Sequence, residues 1–385
     1  MIFSDRFNTF TDEVFATLNE KKFELQKQGR KTYNLSVGTP DFKVSPHIRE
    51  ALIESAKDPE NWKYSLGDLP ELLDAVVAYY KSRFGVTITP DMATSCFGSQ
   101  EGMGHIGLLL CNKGDTVLLP TPCYPVFIHG AKMAEADIYF YEMKPENGYL
   151  PDVKSIPEDV AKKAKYMIVS LPSNPMGSVG TPEVYKEIID FAKKYDVLII
   201  HDNAYSDIIY DGNIGKSFLS YEGAAEVGVE FFSLSKSFDM TGARVSFLVG
   251  RPDVVGAFKK LRQQIDFGMF IPIQKAAIAA LTGPLDMVKE QCKEYERRRD
   301  VLCNGLKSLG LDVCVSGGSM FVWCKIPDYC KTSEEFTIML MEKTGVIVTP
   351  GSSFGPNGEG YVRFALVLDE NEIKEAIESM RANLK

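Results

Sequence analysis

The fold is decided in the middle of the chain by two apolar runs with an amphipathic segment between them. The three segments are YMIVS (residues 166–170), PEVYKEIIDFAKKY (182–195) and VLIIHD (197–202). In the middle segment Val184, Ile188, Phe191 and Tyr195 fall on one face of a helix. Both flanking runs are apolar almost throughout, which is typical of strands covered on both faces of a sheet. The pattern predicts a strand–helix–strand unit with parallel strands.

Alternating strands and helices continue on both sides of this unit. The predicted strands of this region are Ala93–Phe97, Thr116–Leu119, Asp137–Glu142, Tyr166–Ser170, Val197–Asp202, Val229–Leu234 and Val245–Val249. They predict an α/β fold whose large domain has a mainly parallel seven-stranded sheet between helices.

The pattern changes after about residue 280. A long charged helix, Leu285–Leu309, precedes short strands near Asp312–Val315, Met320–Lys325 and Tyr361–Leu366, which predicts a smaller α+β domain. We expect residues 1–43 to form an arm and a helix (about Asp12–Gln28) that join the small domain. Residues 44–280 then form the large domain, and residues 281–385 form the small one.

Composition excludes several classes of function. A net charge of −9 argues against nucleic-acid binding, which needs a basic face. No apolar run approaches the roughly 20 residues of a membrane-spanning helix. The eight cysteines form no C-x-x-C pair, so we expect reduced thiols in a cytoplasmic protein. The four histidines lack metal-ligand spacing, and no metal site is expected.

Ligands of parallel sheets lie beyond the carboxyl ends of the strands, and polar residues collect at these positions here. Gly98-Ser99-Gln100-Glu101-Gly102 begins a helix, whose free N–H groups suit an anion. Tyr124 and Asn174 each follow a strand, Asp202 closes one, and Tyr205 comes three residues after Asp202.

The most informative strand end is Ser233-Leu234-Ser235-Lys236-Ser237-Phe238, with Arg244 eight residues after the lysine. Burying a charged lysine at the end of a strand costs free energy, so a lysine at this position indicates a functional role. Desolvation lowers the pKa of such an amine and frees it for Schiff-base chemistry.

Taken in order, Asn174-Pro175, Asp202-x-x-Tyr205, Ser233-x-Ser235-Lys236 and Arg244 resemble the class I/II aminotransferases, which are fold-type-I pyridoxal-phosphate enzymes. The resemblance extends from the Asn34–Gly38 segment to Arg363 and is most marked with the LL-diaminopimelate and alanine aminotransferase-like branch. It implies pyridoxal 5′-phosphate as cofactor and a homodimer with shared active sites.

The resemblance also implies residue roles around the cofactor. Lys236 would form the Schiff base and shuttle the substrate Cα proton, and Asp202 would pair with the ring nitrogen. Asn174 and Tyr205 would bind the phenolic oxygen, and Tyr124 would stack on the ring. The implied phosphate ligands are Ser99, the Gln100 N–H, Ser233, Ser235, Arg244 and, in the neighbouring subunit's site, Tyr64.

Substrate binding follows from the same resemblance. Arg363 would hold the substrate α-carboxylate through a bidentate pair, helped by the Gly38 backbone and Asn174. Two positions depart from the family pattern. Ala243 stands where relatives often have Trp, and Gln100 stands where the related branch often has Lys.

The implied activity is transfer of an amino group from an L-amino acid to a 2-oxo acid, such as 2-oxoglutarate or pyruvate, by a ping-pong mechanism. A pyridoxal-phosphate C–S β-lyase is an alternative on the same fold. A non-catalytic ligand-binding relative is a third possibility, which Lys236, Asp202 and Arg363 argue against.

Gly102-Met103-Gly104-His105-Ile106-Gly107 matches a dinucleotide-binding motif, but the motif also needs an acidic residue about 20 positions further on. No carboxylate occurs in residues 121–127. We therefore expect these glycines to allow close helix packing. For His201 we expect a structural role.

Overall fold

The computed structural model describes residues 2–10 and 14–384. The predicted N-terminal helix is present as Val14–Lys27, and Asp12 lies outside the described residues. No helix in the described part of the chain is long and apolar enough to cross a membrane. Among the same residues, no group of His, Cys, Asp and Glu side chains could hold a metal ion.

Helices and strands alternate along most of the chain. The helices are α1 Val14–Lys27, α2 Pro46–Ala56, α3 Pro70–Tyr79, α4 Ser99–Leu110, α5 Pro125–Met133, α6 Glu158–Ala161, α7 Pro182–Tyr195, α8 Ala224–Val227, α9 Leu234–Ser237, α10 Pro252–Arg262, α11 Ile271–Thr282, α12 Asp286–Ser308, α13 Ser333–Thr344 and α14 Glu370–Asn383. The strands are β1 Tyr33–Asn34, β2 Ala93–Cys96, β3 Thr116–Thr121, β4 Asp137–Glu142, β5 Ala164–Ser170, β6 Leu198–Asn203, β7 Gly228–Ser233, β8 Ser246–Gly250, β9 Val313–Cys314, β10 Phe321–Lys325, β11 Val346–Ile347, β12 Thr349–Pro350 and β13 Tyr361–Ala365.

The large sheet has seven strands in the order β2-β8-β7-β6-β5-β3-β4. Strand β8 runs antiparallel to both of its neighbours, and the remaining pairs are parallel. The predicted mainly parallel seven-stranded sheet is thus confirmed, with strand ends within a few residues of the predicted positions. In the pairing of β5 with β6, Ser170 lies opposite Asp202 at the carboxyl end.

The central strand–helix–strand unit forms as its sequence predicts. Thr181 caps α7, since its Oγ1 accepts a hydrogen bond from the N–H of Val184 at 3.4 Å. On β5, Met167 and Val169 enter the hydrophobic core on one face of the sheet, whereas Ile168 enters the core on the other. Full burial of one such side chain contributes about 1.5–3 kcal/mol, so both faces stabilise the strand.

The smaller sheet has four antiparallel strands in the order β12-β13-β10-β9 and packs against the long helix α12. Strand β1 pairs in parallel with β11, far along the chain. This pairing places the segment that follows β1, residues 35–39, beside the small sheet. The domain boundaries at residues 43/44 and 280/281 stay a prediction.

The glycines of the dinucleotide-like motif lie inside α4 and allow close packing. A Cβ on Gly102 would lie 2.2 Å from the ring of Phe231 on the sheet. A Cβ on Gly104 would lie 3.2 Å from Met133, and one on Gly107 would lie 3.1 Å from Ala134. These contacts agree with the packing role expected for the motif.

Candidate active site

The predicted site residues come together in a cavity of about 650 Å³ at the carboxyl ends of the large sheet. The cavity is also bordered by residues of the small sheet and of the segment after β1. Its lining includes Gly38, Ser99, Gln100, Tyr124, Asn174, Asp202, Tyr205, Ser233, Ser235, Lys236, Arg244 and Arg363. Of the predicted residues, Tyr64 is the one that does not line it.

One end of the cavity suits an anion. Gly98 has φ +84°, and a Cβ at this position would lie 2.4 Å from Nη2 of Arg244. Only a glycine therefore lets the guanidinium approach this turn. The hydroxyl of Ser99 is buried and has no hydrogen-bond partner among the described residues. A cation, an unpaired hydroxyl and the N-terminus of α4 meet here, which fits a phosphate group.

Lys236 presents its amine to the cavity from the short helix after β7. Its Nζ donates a hydrogen bond to the carbonyl oxygen of Gly38 at 2.6 Å. Burial, followed by the positive charges of Arg363 and Arg244, lowers the pKa of the Lys236 amine to about 8. A larger fraction of the amine is therefore neutral near neutral pH, which a nucleophile or a proton carrier requires.

Asp202 lies near the carboxyl end of β6 and lines the cavity. Its Oδ2 accepts a hydrogen bond from Ser170 Oγ at 3.1 Å. Burial raises the pKa of Asp202 to about 6, partly offset by His201 and Ser170. A cationic ring nitrogen beside this carboxylate would compensate the cost of burying its charge. The position therefore fits a pyridinium partner.

Arg363 reaches the cavity from β13 and is almost fully buried. Its Nη1 donates to Asn174 Oδ1 at 2.9 Å, and its Nη2 donates to the carbonyl oxygen of Ser36 at 2.6 Å. Its guanidinium lies 4.1 Å from the ring centroid of Phe321 and 4.8 Å from that of Phe354. These contacts fix the planar orientation that a bidentate carboxylate clamp needs.

Two tyrosines border the space between these groups. Tyr205 packs edge-on against Phe321, with 5.7 Å between ring centroids, and burial raises the pKa of its phenol. Tyr124 donates its hydroxyl to Oε1 of Gln100 at 3.1 Å. The Gln100 side chain thus faces the cavity beside an aromatic ring.

Tyr64 lies on the surface instead. Its side chain is 84% exposed, and its ring packs against Phe267 at 5.5 Å between centroids. Trp62 and Leu66 beside it are also exposed. Together these four residues, Trp62, Tyr64, Leu66 and Phe267, form an apolar surface that we call the Tyr64 surface.

Several residues that contribute to the site were not identified from the sequence. Ser170 lies opposite Asp202 because of the register between β5 and β6, and this position is predictable once the two strands are paired. The Ser36 carbonyl, which accepts from Arg363, lies just after the two-residue strand β1. Thr349, whose Oγ1 is 3.3 Å from Nη2 of Arg363, lies in the two-residue strand β12. Neither strand has a recognisable sequence pattern. Phe321 and Phe354 are aromatic residues whose sequence context resembles ordinary core.

The comparisons with known proteins all point to one family, and they cover nearly the whole chain. A family model described as aminotransferase class I and II matches residues 30–380. The LL-diaminopimelate aminotransferase of Halothermothrix orenii is 40% identical over 380 residues, covering 98% of this chain and 97% of the relative. The enzyme of the same name from Aquifex aeolicus is 40% identical over 385 residues, covering 100% and 99%.

Comparison with solved structures agrees with the sequence comparisons. Substrate-bound BacF from Bacillus subtilis superposes with a TM-score of 0.95 at 34% identity, covering 99% of this chain and 98% of that one. Aspartate aminotransferase from Thermus thermophilus with maleate superposes with a TM-score of 0.92 at 25% identity, covering 99% of both chains.

Proposed function

Because this chain belongs to the class I and II aminotransferases, a pyridoxal-phosphate-dependent enzyme family, we propose that it moves the amino group of L-amino acids with neutral side chains to a 2-oxo acid. The chain is an aminotransferase, and pyridoxal 5′-phosphate is its cofactor. The choice of donor, the acceptor (2-oxoglutarate or pyruvate) and the roles of individual residues are the proposal.

The single observation that carries the assignment of roles is the meeting of Lys236, Asp202 and Arg363 in one cavity. Bound pyridoxal phosphate supplies an electron-withdrawing ring that makes the substrate Cα proton acidic. Lys236 would bond the cofactor covalently and afterwards carry that proton, a task for which its lowered pKa suits it. Asp202 would keep a proton on the ring nitrogen, and Arg363 would hold the α-carboxylate.

The remaining contacts orient the two reactants. Ser99, Ser233, Ser235, Arg244 and the Gln100 N–H would bind the phosphate. Tyr124 would stack on the ring, and Tyr205 would bind its phenolic oxygen. Asn174 contacts Arg363 and would share in holding both the cofactor and the substrate carboxylate. Gly38 would contribute its backbone.

The preference for neutral donors rests on the charges around the cavity. Among the described residues of this subunit, the cations that line it are Lys236, Arg244 and Arg363. Each of them already has a proposed task, so the described lining offers no further cation for a distal carboxylate. Gln100, beside Tyr124, presents a neutral amide at the cavity wall. Alanine and aromatic amino acids suit this lining.

Amino transfer can be separated from β-elimination in a half-reaction. Holoenzyme mixed with alanine alone should release one equivalent of pyruvate per site and stop, because the nitrogen stays on the protein. Adding 2-oxoglutarate should restart turnover and form glutamate. A C–S β-lyase would instead release pyruvate continuously from a cysteine thioether without any oxo acid.

We also propose that the working unit is a homodimer. The Tyr64 surface is an exposed apolar patch of the kind that marks protein contacts. Burying it against a second copy would let Tyr64 bind the cofactor phosphate in the partner's site. Light scattering should give twice the monomer mass. A cytoplasmic location is part of the same proposal, supported by eight free cysteines.

A further inference from the structure

The segment that carries Tyr64 is held by one buried side chain, that of Gln274 on α11. Gln274 is 0% exposed, although amide side chains are mostly found at the surface. Its Nε2 donates to the carbonyl oxygen of Met269 at 2.7 Å and lies 3.1 Å from Ser65 Oγ and 3.3 Å from Gly67 O. Its Oε1 accepts from the N–H of Leu69 at 2.8 Å. Both ends of the amide are therefore in use.

In this segment, the residues that Gln274 contacts lie directly C-terminal to Tyr64. Ser65 is the next residue, and Gly67 and Leu69 are three and five positions after Tyr64. No hydrophobic side chain could replace the amide, because it serves a backbone N–H and a backbone carbonyl oxygen at once. Neither Gln274 nor Ser65 lines the cavity.

A second contact holds the same segment against the residues just before α11. The N–H of Gly268 donates to the carbonyl oxygen of Ser65 at 2.7 Å. A Cβ on Gly268 would lie 2.6 Å from both N and O of Gly67 and from Ser65 Oγ. The segment is thus fixed by hydrogen bonds from Gln274 and by close backbone contact at Gly268, while the Tyr64 side chain projects outward.

We infer that Gln274 is a positioning residue that fixes Tyr64 for binding the cofactor phosphate in the partner subunit. The inference rests on the proposed role of Tyr64 in the dimer. A hydroxyl on an exposed segment binds a phosphate well only if its backbone is already held in place, because otherwise ordering it costs conformational entropy. Gln274 would order this segment when the protein folds, so that the entropy is already lost before the cofactor binds.

The test is a double-mutant cycle on the rate at which the dimeric holoenzyme loses pyridoxal phosphate. The proteins are wild type, Tyr64→Phe, Gln274→Met and the double variant. Loss of a hydrogen bond to a charged phosphate should speed cofactor release in Tyr64→Phe roughly tenfold or more. Gln274→Met should speed it by a similar factor, and the double variant should release no faster than Tyr64→Phe.

Thr344→Val is the matched control for lost stability. Thr344 is buried on α13 and accepts a hydrogen bond from the N–H of Val346, remote in the chain from Tyr64. This variant should unfold at a lower temperature while releasing the cofactor at the wild-type rate. If Gln274→Met does not fold, Gly268→Ala takes its place in the cycle, since it displaces Ser65 and Gly67 but leaves Gln274 and Tyr64 chemically intact.

Two results would overturn the inference and can be told apart. If Gln274→Met, or its substitute, speeds release by the same factor with and without the Tyr64 hydroxyl, or has no effect, it does not act through Tyr64. The role of Tyr64 would then stand. If Tyr64→Phe itself releases the cofactor at the wild-type rate, the proposed role of Tyr64 is wrong and the inference falls with it.

Discussion

Arg363 donates a hydrogen bond to Asn174 across 189 positions of sequence, with 2.9 Å between Nη1 and Oδ1. The contact joins the small sheet, which carries Arg363, to the loop after β5 of the large sheet. It holds the proposed carboxylate clamp beside the proposed cofactor site. In the proposed roles, residues from both sheets would position the substrate's α-carboxylate and its reacting Cα.

Replacing Arg363 with Lys should raise KM for amino acids and oxo acids alike. Lysine keeps the charge but cannot form the planar two-bond clamp, so about 1.5–3 kcal/mol of binding should be lost for either substrate. Steady-state kinetics with alanine and with 2-oxoglutarate measure this. An effect on one substrate alone would mean that Arg363 contacts a side chain instead. Thr349→Val, which removes a lesser contact of Arg363, is the control for altered positioning.

Replacing Asp202 with Asn should lower kcat, because the transition state loses several kcal/mol of stabilisation. Much of the affinity for the cofactor should remain. An amide cannot keep the ring nitrogen protonated, so the cofactor loses its electron-withdrawing power. Single-turnover rates with alanine measure the loss. Ser170→Ala removes only the hydrogen bond to Asp202 and should have a small effect. A near-wild-type rate for Asp202→Asn would refute the role of Asp202.

Asp202 also makes the stability of the cofactor-free protein depend on pH. Burial raises the pKa of its carboxyl from 3.8 to about 6 in the folded protein. The folded state therefore holds the proton more tightly, and stability falls as pH rises through that window. At pH 7–8 the cost is about 3 kcal/mol, which Asp202→Asn removes. Urea unfolding of the two apoproteins should show a difference that shrinks below pH 6. An equal difference at pH 5 and pH 8 would contradict this.

Replacing Gln100 with Lys should shift donor preference towards amino acids that carry a distal carboxylate. The added charge would face the cavity beside Tyr124. An exposed pair is worth roughly 1 kcal/mol, so kcat/KM for glutamate or diaminopimelate relative to alanine should rise several-fold. Gln100→Met is the neutral control. An unchanged ratio would show that another group, such as a cation of the partner subunit, determines the preference.

Local patterns predict the large sheet and place several cavity-lining residues at its strand ends, whereas Arg363 and Gly38 are expected there only from the family resemblance. Parallel strands bring their carboxyl ends to one edge, so the sequence predicts that Asp202, Asn174 and Ser233 lie together. The Lys236 contact with Gly38 was not predictable, because it requires the two-residue pairing of β1 with β11. Pairing of such short strands is set by tertiary packing, which leaves no periodic signal in the sequence.

The central claim is that Lys236 carries the cofactor, and borohydride reduction of the holoenzyme followed by peptide mapping tests it most directly. Reduction fixes pyridoxal phosphate to the lysine that holds it. The account predicts one labelled peptide, which contains Lys236, and no label and no turnover in a folded Lys236→Ala variant. A label on any other lysine of the wild-type enzyme, or turnover by Lys236→Ala at the wild-type rate, would contradict it.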